Sequence, residues 1–251
     1  MTQLDGRVAI VTGGAQGIGR EYCKVLARSG AAVVVADVKS ANETVDEIRA
    51  AGGRAVAVET DVSDKGSCVA AAAKAREAFG PVTILVNNAA IYHSMRLDPL
   101  LEMDIAYWRK AFSVNLDGAL LMSQAVAPHM IEAGWGRIVN QTSTAAYMGG
   151  GSGAQYGVSK LALVGLTQGL AAELGPKGIT VNAIAPGPIF TEATKATVPT
   201  PLIEMLLTMT PINRKIDADG LNGILLFLVS DAASWMTGQT LVVDGGFVKR
   251  I

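Results

Sequence analysis

The sequence is poor in the residues that mark several classes of protein. It holds only two cysteines, Cys23 and Cys68, too few for a disulfide framework, and both fall in helix-like segments as buried free thiols would. Only 5% of its residues are aromatic, which argues against an aromatic-rich β-sandwich. His93 and His129 are its only histidines, and they form no cluster with metal-ligand spacing. We therefore expect no metal site.

Charge and long apolar runs are equally scarce. Charged residues make up 17% of the chain and the formal net charge is −1, which leaves no basic face for nucleic acid or anionic lipid. No apolar run approaches the roughly 20 residues that span a bilayer. The N-terminal residues show no signal-peptide pattern. We expect a soluble cytoplasmic protein that binds a small molecule and associates with neither nucleic acid nor membrane.

Hydrophobic residues, in contrast, make up half of the 251-residue chain, which suits one large α/β domain over residues 1–251. Short apolar runs predict strands at Val8–Thr12, Ala32–Ala36, Ala55–Glu59, Ile84–Asn87, Arg137–Gln141, Ile179–Ile184 and Thr240–Val243. The segments between them predict helices at Gly17–Ser29, Ser40–Ala51, Asp64–Phe79, Ile105–Ala133, Ala154–Leu174, Leu202–Thr210 and Asp217–Val229. Such alternation is typical of a parallel sheet covered on both faces, a doubly wound Rossmann fold.

The first predicted strand runs into a Gly-rich turn that opens a helix. Glycine lets backbone N–H groups approach a pyrophosphate at the positive end of that helix. The spacing G-x-x-x-G-x-G differs from the common G-x-G-x-x-G, but the strand before it and the helix after it supply the required context. The residues expected to bind a dinucleotide here are Gly13, Gln16, Gly17, Ile18 and Gly19.

Asp37 ends the second predicted strand, 20 residues after Gly17. A carboxylate there can accept hydrogen bonds from the adenosine ribose and would repel a 2′-phosphate, which favours NAD over NADP. A solvated strand end or a helix cap is the structural alternative. The nearby Lys39 leaves partial accommodation of a phosphate open.

Tyr156 and Lys160 lie four residues apart in a predicted helix, so their side chains share one face. A nearby ammonium favours the phenolate, and a Tyr whose pKa is lowered can give or take a proton during carbonyl reduction or alcohol oxidation. The pattern YxxxK is common by itself, so the rest of the chain must support it.

Taken in order, the motifs resemble those of the short-chain dehydrogenase/reductase family, in the subtype of about 250 residues. The matching elements are TGGAQGIG at 12–19, Asp61-Val62, Asn87-Asn88-Ala89, Asn115, Ser143, YGVSK at 156–160, and Pro186-Gly187 with Thr191. The resemblance covers nearly the whole chain, and the separation of 13 residues between Ser143 and Tyr156 is the family's usual one. Ala90 stands where the family commonly has Gly, which we expect to alter only local backbone freedom.

The resemblance implies further cofactor contacts. Asp61 and the Val62 backbone would bind the adenine, and Asn88 and Ala89 would lie along the cofactor. On the nicotinamide side it implies Pro186, Gly187, Ile189 and Thr191, the last two holding the carboxamide. For Asn87, a purely structural role and a cofactor-side role are equally open.

The resemblance also implies a catalytic set of four residues. Ser143 would orient and polarise the substrate carbonyl, with Thr142 and Thr144 as alternatives that the spacing disfavours. Tyr156 would be the general acid or base. Lys160 would lower its pKa and hold the nicotinamide ribose. Asn115 would bend the long helix and free a carbonyl for a relay water.

The substrate side is less defined. Tyr92, His93, Tyr147 and Met148 are candidate pocket residues, and they favour a hydrophobic substrate such as an alicyclic, aromatic or acyl ketone. Residues 188–214 read as a substrate lid, with an ordinary surface helix as the alternative. Apolar residues of two predicted helices, together with the resemblance, imply a homotetramer.

We therefore expect an oxidoreductase that moves a hydride between NAD(H) and a secondary alcohol or ketone. An NADPH-dependent 3-oxoacyl-carrier-protein reductase is the enzymatic alternative, and Asp37 argues against it. A non-catalytic dinucleotide-binding protein is the alternative from another class. A Ser–His–Asp hydrolase is disfavoured because no G-x-S-x-G elbow surrounds Ser143.

Overall fold

The computed structural model describes residues 4–92, 95–149, 153–191, 194 and 200–248. Its strands form one seven-stranded sheet in the order β3-β2-β1-β4-β5-β6-β7, and every neighbouring pair is parallel. The strands are β1 (Val8–Thr12), β2 (Ala32–Asp37), β3 (Arg54–Glu59), β4 (Ile84–Asn87), β5 (Gly136–Gln141), β6 (Ile179–Pro186) and β7 (Thr240–Val243). The predicted doubly wound parallel sheet is confirmed.

Helices connect these strands. They are α1 (Gly17–Arg28), α2 (Asn42–Ala50), α3 (Lys65–Phe79), α4 (Ile105–Phe112), α5 (Gly118–Ala133), α6 (Ala145–Met148), α7 (Ala154–Leu174), α8 (Thr200–Met209) and α9 (Asn222–Leu228). Short 3-10 segments lie at Leu100–Glu102, Gly175–Lys177, Ala218–Leu221 and Asp231–Ala233.

Two hydrophobic layers cover the two faces of the sheet. Because side chains alternate along a strand, Val33 and Val35 pack into one layer with Tyr22 of α1, while Val34 packs into the other with Met122 of α5. The five central strands are buried on both faces, as parallel strands between helices must be, whereas the edge strands β3 and β7 are only partly buried. The pattern of apolar residues therefore explains both layers.

Two predicted helices differ from the structure. The region Ile105–Ala133 is interrupted by a π-helical segment, Ser113–Asp117, while Pro128 lies inside α5. The region Asp217–Val229 begins as a 3-10 segment before α9. The first of these irregularities lies at Asn115, where a bend of the long helix was expected.

Within the described ranges, no helix is both long enough and apolar enough to cross a membrane. In the same part of the chain, no three His, Cys, Asp or Glu side chains cluster as a metal site would need. Because all seven strands are parallel, their carboxyl ends lie along the same side of the sheet. Ligands of open α/β sheets bind outside these carboxyl ends.

Candidate active site

A cavity of about 560 Å³ opens at the carboxyl ends of the strands. Its volume lies within the roughly 300–1,000 Å³ typical of cofactor and small-molecule sites. The expected residues that line it are Gly13, Gln16, Gly17, Ile18, Asp37, Asp61, Val62, Asn88, Ala89, Tyr92, Ser143, Tyr156, Lys160, Pro186, Gly187, Ile189 and Thr191. Gly19, Asn115, Tyr147 and Met148 are not part of this lining. His93 lies outside the described residues.

The Gly-rich turn between β1 and α1 presents backbone to this cavity. Gly13 and Gly17 have φ angles of 67° and 56°, a left-handed conformation that favours glycine. A Cβ at Gly19 would collide with the carbonyl of Gly13, so Gly19 permits the close packing of the turn. The side chain of Gln16 does not cap α1, and the first turn of α1 has no acidic residue. The first N–H groups of α1 therefore suit a phosphate.

Thr12 and Asn88 hold this turn against the end of β4. Thr12 Oγ1 accepts hydrogen bonds from the backbone N–H groups of Asn88 and Ala89, both at 3.0 Å. Asn88 Nδ2 donates to the carbonyls of Thr12 at 3.0 Å and Gly13 at 3.2 Å. Sequence reasoning assigned no role to Thr12, although a hydroxyl residue at the end of β1, opening the Gly-rich motif, was a usable signal.

Two carboxylates line the cavity on the side of β2 and β3. Asp37 is 9% exposed and accepts hydrogen bonds from the N–H groups of Ala15 (3.0 Å) and Lys39 (2.9 Å). Asp61 accepts from the N–H (2.9 Å) and the hydroxyl (2.6 Å) of Ser63, and these bonds hold the pKa of Asp61 below its usual range. Each carboxylate offers about four acceptor positions, so both retain capacity for a ligand.

Hydrogen bonding distinguishes Ser143 from its two neighbours. The hydroxyls of Thr142 and Thr144 donate to backbone carbonyls at 2.7 Å and 3.1 Å, and both residues are buried. The Ser143 hydroxyl accepts from a backbone N–H at 3.2 Å and shares a hydrogen bond with Tyr156. Of the three hydroxyls, Ser143 is the one paired with Tyr156 at the cavity.

Tyr156 and Lys160 lie together near the start of α7. Lys160 Nζ is 5.5 Å from the centroid of the Tyr156 ring and donates to the carbonyl of Gln141 at 2.6 Å. Lys160 is 2% exposed, and burial lowers its pKa to about 7. Burial also raises the pKa of the Tyr156 phenol, and its hydrogen bond with Ser143 offsets only part of that rise.

The expected lowering of the Tyr156 pKa by Lys160 stays a prediction, because burial dominates the pKa of this phenol and Lys160 is not among the groups that shift it. Lys160 is itself desolvated, so its ammonium loses its proton near neutral pH. Its recorded hydrogen bond goes to a carbonyl and not to the phenol. The phenol is therefore protonated at neutral pH, which is the state that a general acid needs.

The lowered pKa of Lys160 predicts a pH dependence of stability. Between pH 7 and about 10.4 the unfolded chain holds a proton that folded Lys160 releases. The free energy of unfolding should therefore rise with pH across this window, relative to a Lys160→Met variant, by about 1.4 kcal/mol per pH unit. Urea unfolding of both proteins at several pH values measures this difference. A difference that stays constant with pH would show that folded Lys160 keeps its proton across this window and that its pKa is not lowered.

Asn115 lies behind the cavity, 2% exposed, in the π-helical segment Ser113–Asp117. Its Oδ1 accepts from the N–H of Ile91 at 2.8 Å, and its Nδ2 donates to the hydroxyl of Ser159 at 3.1 Å. The Ser159 hydroxyl donates in turn to the carbonyl of Tyr156 at 2.8 Å. Asn115 thus ties the loop after β4 to the first turn of α7. A proton relay through its backbone stays a prediction.

The segment after β6 closes the other side of the cavity. A Cβ at Gly187 would strike Asp244, so glycine lets this segment pass close to the chain after β7. The hydroxyl of Thr194 donates to the carbonyl of Ile189 at 2.6 Å and lies 3.2 Å from the hydroxyl of Thr191. Thr194 also lines the cavity. Sequence reasoning missed it because nothing local separates it from the other threonines nearby.

The candidate substrate residues separate into two groups. Tyr92 packs against Tyr156 with 5.2 Å between ring centroids. Tyr147 and Met148 belong to α6 and do not line the cavity, and Met148 is 48% exposed. The structure therefore brings Tyr92 to Tyr156 at the cavity, whereas Tyr147 and Met148 lie outside the cavity lining.

Asn87 belongs to the buried framework beneath the site. Its Nδ2 donates to Asn140 Oδ1 at 2.9 Å and to the hydroxyl of Ser123 at 3.3 Å. Asn140 donates onward to Thr167 of α7 at 2.9 Å. Asn87 does not line the cavity. Of the two roles left open, the geometry favours the structural one.

The chain is similar to known proteins over almost its whole length. A family model described as Enoyl-(Acyl carrier protein) reductase matches residues 13–248. An uncharacterized oxidoreductase of Mycobacterium tuberculosis (strain H37Rv) is 49% identical over 98% of this chain and 99% of its own.

Two solved structures resemble the fold closely. A 7α-hydroxysteroid dehydrogenase complexed with NADH and 7-oxoglycochenodeoxycholic acid has a TM-score of 0.93 and 40% identity, covering 99% of this chain and 96% of that one. A putative NAD(P)-dependent gluconate 5-dehydrogenase from Beutenbergia cavernae, with NADP bound at low occupancy, has a TM-score of 0.92 and 38% identity, covering 99% of both chains.

Proposed function

Because the chain belongs to the short-chain dehydrogenase/reductase family, we propose that it interconverts a hydrophobic secondary alcohol and its ketone with NAD(H). One observation carries this proposal. The hydrogen-bonded pair Ser143 and Tyr156, with Lys160 beside it, lines the same cavity as the uncapped N-terminus of α1. A proton donor and a phosphate site in one cleft are what a dinucleotide-dependent carbonyl reduction requires.

The proposed catalytic roles follow from the hydrogen bonds. Ser143 and Tyr156 present two hydroxyls at the cavity, so both can bind one carbonyl oxygen. Tyr156 donates its proton to that oxygen in reduction and recovers it in alcohol oxidation. Lys160 would hold the nicotinamide ribose of the cofactor. Asn115 keeps the first turn of α7 in place and links Lys160 to solvent.

The residues present fit a nicotinamide dinucleotide. The turn at Gly13–Gly19 and the N-terminus of α1 would hold its phosphates, Asp37 and Asp61 its adenosine, and Pro186–Thr191 its nicotinamide side, with Val62, Asn88 and Ala89 along its length. When bound, the cofactor supplies or accepts the hydride at the substrate carbon.

NAD is the proposed cofactor because of Asp37. Its carboxylate is fixed by two backbone N–H groups at the cavity wall, where a 2′-phosphate would meet a negative charge. The neighbouring Lys39 donates to Gln16 at 3.3 Å and so has another partner. An NADPH-dependent 3-oxoacyl-carrier-protein reductase is the alternative that this carboxylate disfavours.

A hydrophobic substrate and a lid are proposed on the side of Tyr156 away from the cofactor turn. Tyr92 supplies an aromatic wall there, and its hydroxyl hydrogen-bonds Thr194 across the cleft. Residues 188–214, which include Thr194 and the apolar helix α8, are the proposed lid. The steroid complex of the structural neighbour supports an alicyclic ketone or alcohol as the substrate class.

We further propose a cytoplasmic homotetramer within a single-domain architecture. Val158 and Leu161 of α7 and Ile105 of α4 are 41%, 48% and 59% exposed, which leaves apolar surface on two neighbouring helices. Burial of such surface between copies is the usual way to cover it. Analytical ultracentrifugation of the purified protein tests the assembly.

The test of function is a panel of alicyclic, aromatic and aliphatic secondary alcohols assayed with NAD⁺ and with NADP⁺. We expect NADH to form with an alicyclic or aromatic alcohol. The absorbance of the reduced cofactor measures the rate. Turnover with NADP⁺ alone would overturn the cofactor assignment, and no turnover of any alcohol or matching ketone would overturn the proposed reaction.

A further inference from the structure

Tyr22 is a buried tyrosine on α1 that no proposed role involves. It is 0% exposed, and its hydroxyl donates to Gln141 Oε1 at 2.8 Å, across 119 residues of sequence. Gln141 is 5% exposed at the end of β5. Two polar side chains buried this deeply are stable only as a hydrogen-bonded pair, since a lone buried partner bears its full desolvation cost.

Gln141 stands between Tyr22 and the proposed catalytic lysine. Its backbone carbonyl accepts the hydrogen bond from Lys160 Nζ at 2.6 Å, and the residue lines the cavity two positions before Ser143. Among the described residues, this carbonyl is the only acceptor recorded for Nζ. A lysine side chain has four rotatable bonds, so its partner decides where the ammonium lies.

We propose that Tyr22 is a positioning residue that acts through Gln141 to hold the Lys160 ammonium beside Tyr156. Tyr22 occupies Oε1 of Gln141 and leaves the backbone carbonyl as the acceptor for Lys160. The bond also couples α1, which bears the phosphate site, to β5, which bears Ser143 at its end. The inference rests on the proposed function of Lys160.

Removal of the Tyr22 hydroxyl has a definite consequence. Oε1 of Gln141 would lose its donor on the side that faces the fully buried Tyr22, so the flexible side chain would turn towards another donor. Lys160 already donates to the backbone carbonyl of Gln141, and its ammonium has further N–H groups that can donate to Oε1. An ammonium drawn to Oε1 would leave its place beside Tyr156, and the added oxygen would favour its charged form.

The variants Tyr22→Phe, Gln141→Met and their combination test this coupling. Tyr22→Phe should lower kcat by about tenfold, since misplacement of a catalytic group is costly, with little change in the KM for NAD⁺. The pH midpoint of kcat, which belongs to the coupled pair Tyr156 and Lys160, should move upward. The double variant lacks both the Tyr22 hydroxyl and Oε1 of Gln141, so no unpaired acceptor remains to attract Lys160. It should regain most of the lost kcat and the wild-type pH midpoint.

Thr167→Val is the matched control. It removes the buried hydrogen bond that Asn140 of β5, the residue before Gln141, donates to Thr167 of α7. This bond does not involve Lys160. The variant should reduce the free energy of unfolding as Tyr22→Phe does, and leave both kcat and the pH midpoint unchanged. If Tyr22→Phe changes kcat no more than Thr167→Val does, or leaves the pH midpoint in place, Tyr22 is a structural residue and the inference is overturned.

A failure of the proposed function gives a different result. If the wild-type protein turns over no alcohol or ketone, the reaction assignment fails by itself. The position of the Lys160 ammonium is then measured through the pH dependence of unfolding, relative to Lys160→Met. In the Tyr22→Phe background the rise of stability with pH should begin at a higher pH than in the wild type. An unchanged onset would overturn the inference independently of any activity.

Discussion

Tyr156→Phe should abolish turnover and leave dinucleotide binding intact. Phenylalanine keeps the ring that packs against Tyr92 and loses only the hydroxyl that hydrogen-bonds Ser143. Among the described residues, the other recorded partner of the Ser143 hydroxyl is the backbone N–H of Ala145, which cannot replace the phenol as a proton donor. A general acid or base contributes about 10²- to 10⁴-fold to a rate, so we expect kcat to fall by about 10³-fold or more.

Two measurements test this loss. Oxidation of the best alcohol from the panel gives kcat, and the fluorescence of NADH on titration gives its Kd, which should stay within about threefold of the wild type. Tyr107→Phe is the matched control, because its hydroxyl accepts from the N–H of Arg96 and is not part of the cavity lining. It should retain kcat. A Tyr156→Phe protein with kcat within tenfold of the wild type would remove Tyr156 from the mechanism.

The same experiment separates an enzyme from a non-catalytic dinucleotide-binding protein. A binding protein would show the same Kd for NADH in wild type and variant, and no turnover in either. An enzyme shows equal binding and unequal turnover. The comparison therefore requires the wild-type rate on the alcohol panel as its reference.

The sequence predicted the parts of the site that depend on short-range spacing. Tyr156 and Lys160 share a face because a helix repeats every 3.6 residues, and both line the cavity. The turn before α1 was predicted because the left-handed backbone at Gly13 and Gly17 favours glycine. The parallel sheet followed from short apolar runs separated by helices. Each of these features is encoded within a few neighbouring residues.

The parts that sequence reasoning missed depend on distant residues. A bend of the long helix at Asn115 was expected, and the π-helical segment lies there, but no local pattern reveals its side-chain partners Ile91 and Ser159. The pairing of Tyr22 with Gln141 joins positions 119 residues apart. Burial of a charge is likewise a property of the folded chain.

The pKa of Tyr156 shows why burial, which the sequence does not reveal, matters for the mechanism. Proximity to Lys160 suggested a lowered value, but burial acts on the phenol and on the ammonium together. It raises the pKa of the phenol and lowers the pKa of Lys160 to about 7. Whether the nearby ammonium or the burial decides the pKa of Tyr156 depends on how deeply the two side chains are buried. The spacing of four residues in the sequence carries no information about burial.

Asp37→Asn should weaken the preference for NAD over NADP. In the wild type, a 2′-phosphate would approach a carboxylate that two backbone N–H groups hold in place. Like charges at such a contact cost several kcal/mol, and each 1.4 kcal/mol corresponds to about tenfold. We expect wild-type kcat/KM for NAD⁺ to exceed that for NADP⁺ by about 100-fold or more. The variant should reduce this ratio by about tenfold or more, because the amide carries no charge.

The Asp37→Asn variant should also lose stability, which gives an independent check on its geometry. Both oxygens of Asp37 accept from backbone N–H groups, of Ala15 and of Lys39. An asparagine must turn its NH₂ towards one of these donors, at a cost of about 1–3 kcal/mol in the free energy of unfolding. Asp46→Asn, which removes an exposed carboxylate from α2, controls for net charge and should change neither quantity. An unaltered cofactor ratio in a destabilised Asp37→Asn protein would mean that Asp37 holds the Gly-rich turn without discriminating between NAD and NADP.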